Sequence, residues 1–245
     1  MTDRTVTWIV GATSGIGRAA AIALAGPNRH LVLSARRADL LADVVRDIES
    51  AGFTAVAEPL DVSDAAAVDR VTARIATQQG PPTEAMFCAG KNVPHRSWAD
   101  LDPDEADAVI AVNLSSVARG VARVLPAMRA HGYGRVVIVS SWAGWTYGRG
   151  AGVAYSASKT ALRSLTDSLN DQEGPHGISA CLLCPGDVNT PLIDNRPVVP
   201  TAAQRAAMLT PEDIAGIARI VFDLPQHVSI PELVVSPIGS HSYGR

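Results

Sequence analysis

Tyr155 and Lys159, in the stretch VAYSASK at 153–159, stand four positions apart with only serine and alanine between them. On a helix that spacing sets both side chains on one face, about one turn apart, and the small neighbours leave the face open. A phenol beside an ammonium is either an acid-base device or an ordinary surface pair. Free tyrosine loses its proton near pH 10, so alone it is a poor base at neutral pH. An ammonium about 4 Å away, at an effective dielectric near 20, stabilises the phenolate by roughly 4 kcal/mol, or about three pKa units. Such a pair brings Tyr155 near the operating pH, where proton transfer is most useful.

Ser140 and Ser141 close the apolar run GRVVIVSS, and VAYSASK opens the next helical pattern. Strand end and helix start therefore converge on the edge where ligands sit in an open parallel sheet. A serine there can hydrogen-bond a substrate oxygen and fix its position. Asn113 interrupts an otherwise apolar stripe of Ala106, Ile110, Val117, Val121, Val124 and Met128. A buried amide there must find partners, and on residues alone it reads as a satisfied core polar group.

WIVGATSGIGRAAAIALA carries Gly11, Gly15 and Gly17 from an apolar run into an alanine-rich helical pattern. Glycines permit the tight turn and close backbone approach, and the helix N-terminus offers free N–H groups to a pyrophosphate. Its place in the first βα unit strengthens the reading of a dinucleotide cradle, although such glycines also occur for steric reasons. The end of the second strand selects the dinucleotide. A carboxylate there accepts from the ribose hydroxyl of NAD, whereas an arginine grips the 2′-phosphate of NADP. HLVLSARR ends in Ala35, Arg36 and Arg37, and Asp39 falls beyond the strand. NADP(H) is expected, NAD(H) being the alternative, with Arg36 as main contact and Thr13 as helper. Asp61 in LDVSD is either an adenine-side contact or part of a helix cap.

These residues need a frame. TVTWIV, HLVLSA, FTAVAEPL, EAMFCA, GRVVIVSS, GISACLLC and ELVVS are strand candidates, mostly continuous apolar runs as in strands covered on both faces. The segments between have helical length and period. Alternation of this kind predicts an α/β fold, a parallel sheet with helices on both faces and right-handed crossovers, in one domain. Cys181 and Cys184 lie three apart on one strand and so face opposite ways. With three cysteines and six scattered histidines, no metal and no disulfide framework is expected. A net charge of −3 argues against a nucleic-acid or membrane partner. With no basic stretch ahead of an apolar run in the first residues and no apolar run near 20 residues, a cytoplasmic protein is expected. Prolines in the stretch from Thr190 to Pro200 forbid regular structure, so a substrate loop is placed at about 190–210.

Taken together the chain resembles the short-chain dehydrogenase/reductase family. GATSGIG matches its glycine motif, Val112 and Asn113 its helix asparagine, Ser140 and Ser141 its serine, YSASK its Tyr-x-x-x-Lys pair and PGDVNT its segment after the sixth strand. The resemblance covers nearly the whole chain and implies a single Rossmann domain, 1–245, with a doubly wound seven-stranded parallel sheet. It implies hydride transfer between the cofactor and a carbonyl or secondary alcohol, with Tyr155 as general acid/base. It implies Asn113, Ser141, Tyr155 and Lys159 as the catalytic set, Lys159 also holding the nicotinamide ribose and Asn113 a water that links Lys159 to solvent. On the cofactor side it implies Gly11, Thr13, Ser14, Gly15, Ile16, Gly17, Arg36, Asp61, Val62, Ala89, Gly90, Tyr155 and Lys159. Pro185, Gly186, Val188 and Thr190 would orient the carboxamide.

Two departures matter. Phe87, Cys88, Ala89 and Gly90 stand where the family commonly has NNAG, and the interval from Ser141 to Tyr155 is one residue longer than usual, which leaves Ser140 as an alternative to Ser141. A non-catalytic dinucleotide-binding sensor and an epimerase or dehydratase are the competing functions. The first has no need of a proton relay, and the second calls for a larger substrate domain. Family members commonly pair the helices around Asn113 and after Tyr155 across subunits, which implies a homodimer or homotetramer. Trp142, Trp145, Tyr147 and the loop from Pro191 to Pro200 are expected to line a pocket for a small carbonyl or alcohol substrate.

Overall fold

A computed structural model describes residues 4–239. Seven parallel strands form one sheet in the order β3-β2-β1-β4-β5-β6-β7. They are β1 (Thr5–Val10), β2 (Arg29–Ser34), β3 (Thr54–Ala57), β4 (Glu84–Phe87), β5 (Gly134–Val139), β6 (Ile178–Pro185) and β7 (Glu232–Val235). Each falls within or beside its sequence-predicted run. The helices are α1 (Gly15–Leu24), α2 (Ala38–Ser50), α3 (Ala65–Gln78), α4 (Pro103–Ile110), α5 (Ser116–His131), α6 (Trp142–Trp145), α7 (Val153–Glu173), α8 (Ala202–Ala206) and α9 (Pro211–Asp223). The architecture is the doubly wound Rossmann-type single domain expected.

The strands read as continuous apolar runs because both faces are covered. One core joins Ile9, Leu31, Leu33 and Val137 to α1, α2 and α9. The other joins Trp8, Val32, Val136 and Ile138 to α3, α5 and α7. Cys181 lies in the first and Cys184 in the second, as alternation along β6 demands. The strand order reverses between β1 and β4, so their C-terminal ends part and open a crevice at the switch point.

Three local departures from the sequence reading have physical causes. A π-helical turn, Ala111–Ser115, separates α4 from α5. Its extra residue shifts the stripe, so that Val109 rather than Ile110 is fully buried ahead of Asn113. By length and composition Pro103–His131 could cross a membrane, but Val117, Val121, Val124 and Met128 pack it into the core of the sheet. The stretch after Thr190 is not wholly irregular. Pro191–Asn195 forms a 3₁₀ helix with Pro191 in its first turn, where a missing N–H costs nothing, and Thr201 caps α8 with a capping box. A second long irregular segment, 88–102, follows β4 and is the one the sequence reading missed.

Candidate active site

The turn after β1 is shaped by what a side chain would strike. A Cβ on Gly17 would lie 2.1 Å from the Gly11 carbonyl oxygen, and one on Gly11 would lie 2.6 Å from the backbone nitrogen of Ala89. Gly11 has φ +92° and Gly15 φ +51°, in the region that favours glycine. The turn therefore packs α1 closely on Gly11, and Gly11 on the segment after β4, and presents backbone at the floor of a cavity of about 320 Å³. Gly11, Thr13, Ser14, Gly15, Ile16 and Gly17 line one side of it. Arg36, Asp61 and Val62 line a second side, and Ala89, Gly90 and Thr190 a third. An extended ligand with a pyrophosphate fits such a glycine-walled, helix-headed cradle.

At its far end Arg37 Nη2 donates to Thr13 Oγ1 at 3.1 Å. The residue paired to Thr13 is thus Arg37 rather than Arg36, although both arginines line the cavity. Asp61 Oδ1 accepts from the backbone N–H of Ser63 at 2.9 Å and from its hydroxyl at 2.7 Å, which holds the Asp61 carboxyl below the usual carboxylate range. The cap of α3 is Asp64, whose side chain accepts from Ala67. Asp61 is therefore a turn former facing the cavity.

A second cavity, of about 560 Å³, adjoins the first and shares Ile16, Cys88, Gly90, Thr190 and Leu192 with it. Ser141, Tyr155 and Lys159 line it together, with Pro185, Gly186 and Val188 opposite. Ser141 follows β5 by two residues and caps α6, its Oγ accepting from Ala143 N–H at 3.1 Å. Ser140 is buried and its Oγ donates to the Lys159 carbonyl at 2.9 Å, which ties β5 to α7. That hydroxyl is engaged in the scaffold, whereas Ser141 sits beside the phenol.

Tyr155 and Lys159 share a helix face, but not in direct contact as charge partners. Lys159 Nζ donates to the Val139 carbonyl oxygen at 2.8 Å and stands 5.8 Å from the centre of the Tyr155 ring. Burial lowers the pKa of Lys159 to about 8, with Cys88 and Cys184 acting against it. Burial raises the pKa of Tyr155, opposed first by the Ser141 hydroxyl and then by Arg196 and Arg96. The expectation of a phenol lowered by the adjacent ammonium is thus corrected for this arrangement: the amine is turned to the end of β5, and desolvation of the phenol prevails.

Asn113 lines neither cavity. Its Oδ1 accepts from Lys91 N–H at 2.8 Å, and its Nδ2 donates to the Lys91 carbonyl at 2.9 Å and to Ser158 Oγ at 3.2 Å. The amide pins the segment after β4 to α7, and the π turn is what aims it there. Trp142 lines the second cavity, as do Leu192, Ile193, Pro197 and Val198 from the loop. Trp145 and Tyr147, expected in the wall, are 41% and 80% exposed and do not line it. Arg196 lines it as part of the expected 191–200 loop, whereas Arg96 and Asp187 were not foreseen, yet both line it. Only the length of the 88–102 segment could have pointed to Arg96.

A sheet with this switch point, bearing a glycine cradle beside a Ser-Tyr-Lys wall, defines a dinucleotide-binding α/β oxidoreductase fold. The profile of the short chain dehydrogenase family matches residues 5–197, and the chain belongs to that family. It is 31% identical over 240 residues to a glycine betaine reductase of Emericella nidulans, covering 95% of this chain but 18% of that far longer one. It is 30% identical over 236 residues to an uncharacterized oxidoreductase of Listeria monocytogenes, covering 94% of each. Among solved structures, an alcohol dehydrogenase from Thermococcus sibiricus complexed with 5-hydroxy-NADP superposes with a TM-score of 0.85 at 27% identity, over 96% of this chain and 97% of that one. The chain is an NAD(P)-dependent oxidoreductase of the short-chain type.

Proposed function

We propose that this protein interconverts a carbonyl compound and its secondary alcohol with NADP(H), Tyr155 exchanging the proton. The observation that carries this reading is the shared wall of the two cavities: the space beside Ser141 and Tyr155 opens directly onto the glycine cradle through Ile16, Cys88, Gly90, Thr190 and Leu192. When bound, the nicotinamide dinucleotide supplies or accepts the hydride.

The remaining work belongs to the chain. Ser141 hydrogen-bonds the substrate oxygen and holds it toward Tyr155. With its pKa raised by burial, Tyr155 keeps its proton at neutral pH and donates it during reduction. Lys159, fixed by Val139, places a positive charge beneath the site and holds the ribose hydroxyls. Asn113 acts by anchoring Lys91 and Ser158. Arg36 and Arg37, both at the cavity end with no acid at the strand terminus, support NADP over NAD, because two guanidiniums there suit a 2′-phosphate. A panel of ketones, aldehydes and alcohols assayed with NADPH and NADP against NADH and NAD tests the proposal. Turnover by the wild type, lost in Tyr155→Phe, is expected. No turnover of any member with any of the four cofactors sinks it.

A further inference from the structure

Arg96 comes from the irregular segment 88–102, yet it is one of the most enclosed charges in the protein, 8% exposed. Its carbonyl accepts from Val153 N–H at 2.9 Å, at the start of the helix that carries Tyr155. Gly152 makes room for its stem, since a Cβ there would lie 2.7 Å from Arg96 Cβ. The backbone and stem of Arg96 are therefore held against the start of α7, in the wall the residue shares with Ser141 and Tyr155.

Its charge is not balanced there. Among the described residues Arg96 forms no salt bridge, whereas Asp187, the one carboxylate lining the cavity, is paired with Arg196. Of its five donor hydrogens, one reaches the Asn195 carbonyl and another makes a 3.5 Å contact with the Gly150 carbonyl. Nε is buried with no partner among the described residues. Burying an unpaired charge is costly, and the site regains that cost when an anion enters. Burial, followed by repulsion from Arg196, lowers the pKa of Arg96, as befits a cation short of a counter-charge. Trp142, Ile193 and Val198 add an apolar stretch to the wall, beside Ser141, Tyr155, Lys159 and the Asp187–Arg196 pair.

We infer that the substrate is an oxo acid or hydroxy acid with an apolar body, its carboxylate received by Arg96 and its reacting oxygen by Ser141 and Tyr155. A carboxylate matches a guanidinium edge bidentately, and of the two cations in the wall without a paired carboxylate Lys159 is turned to the Val139 carbonyl, which leaves Arg96 to receive the negative charge. The inference rests on the carbonyl–alcohol reading above and names its substrate class.

The test compares matched pairs, benzoylformate with its methyl ester and levulinate with its methyl ester, as substrates of wild type, Arg96→Leu and Arg96→Lys with NADPH. In the wild type kcat/KM should favour the acids by about 10-fold or more, and Arg96→Leu should reverse the preference, with the acids losing about 100-fold more than the esters. Arg96→Lys should recover part of the acid preference. Equal losses for acid and ester, or an ester preference in the wild type, overturn the inference. Calorimetric titration of benzoate into the NADP-loaded wild type needs no turnover, and binding should be saturable and absent in Arg96→Leu. If Arg96→Leu fails to fold, the wild-type titration and Arg96→Lys decide. Arg96-dependent benzoate binding without turnover of any carbonyl would sink the redox reading and leave the anion site standing. Ester turnover with no benzoate binding would do the reverse.

Discussion

Lys159 reaches the Val139 carbonyl oxygen, 2.8 Å from Nζ, while its own carbonyl receives the Ser140 hydroxyl at 2.9 Å. One lysine is thereby stitched at both ends to the close of β5. Gly144 permits this, because a Cβ on it would lie 2.5 Å from Ser140 Oγ and 2.6 Å from the Lys159 carbonyl oxygen. The ammonium is positioned by the scaffold and not by the phenol, and at 4% exposure it has no carboxylate partner among the described residues.

The stability consequence can be signed. Folding lowers the Lys159 pKa from 10.5 to about 8, so between those values the unfolded chain binds the extra proton and stability rises with pH. Below about 8 the full penalty, on the order of 3 kcal/mol, opposes folding. Lys159→Met removes it together with one charge-assisted hydrogen bond worth about 1.5–3 kcal/mol, so the two nearly offset at neutral pH. Urea unfolding should find the inactive variant losing stability relative to wild type as pH rises from about 8 to 10.5, because only the wild type sheds the penalty over that range. A stability difference between variant and wild type that stays constant across that range contradicts the unpaired-ammonium account.

Tyr155→Phe should leave cofactor binding nearly intact, as read by fluorescence titration of NADPH, and lower kcat by about 1,000-fold or more. With a pKa raised by burial, the phenol keeps its proton through neutral pH, so kcat/KM for alcohol oxidation should climb with pH up to and past 10. A plateau already reached near pH 7 would mean that a neighbouring charge overrides desolvation.

The two serines should separate. Ser140→Ala removes a buried bond to the Lys159 carbonyl and should cost about 1 kcal/mol of stability by denaturant melting. Ser141→Ala should lower kcat by about 100-fold with a small change in stability, because its hydroxyl caps only the four-residue α6. A larger kcat loss in Ser140→Ala would exchange their roles.

Much of this was legible in the chain. Seven apolar runs became seven parallel strands because strands covered on both faces leave an unmistakable pattern, and the glycine turn announced itself through spacing that only a close helix–strand approach requires. Cys181 and Cys184 went to opposite cores on alternation alone. What escaped was set by tertiary contact. The rotation of Lys159 toward Val139 depends on which carbonyl ends β5, and spacing on a helix cannot report it. The π turn at Asn113 came without a sequence signal, since it serves partners 22 and 45 residues away. Arg96 lies in a segment with no period, and only the fold brings it beside residues 150 and 195.

The cofactor end offers the last test. Arg37 donates to Thr13 Oγ1 and so is held by the glycine loop, while Arg36, with no such tether, lines the same cavity close enough to Asp61 to act on its charge. Both guanidiniums are exposed, so each contributes a solvent-screened contact to a phosphate, and neither alone carries the discrimination. Arg36→Ala and Arg37→Ala should each raise KM for NADPH by about 5- to 20-fold with little change for NADH, and the double variant should lose the preference altogether. Arg37→Ala should also weaken with Thr13→Val in a non-additive way, because the two side chains are bonded to each other. Equal losses for NADPH and NADH in both single variants would place the 2′-phosphate elsewhere and return the cofactor choice to NAD.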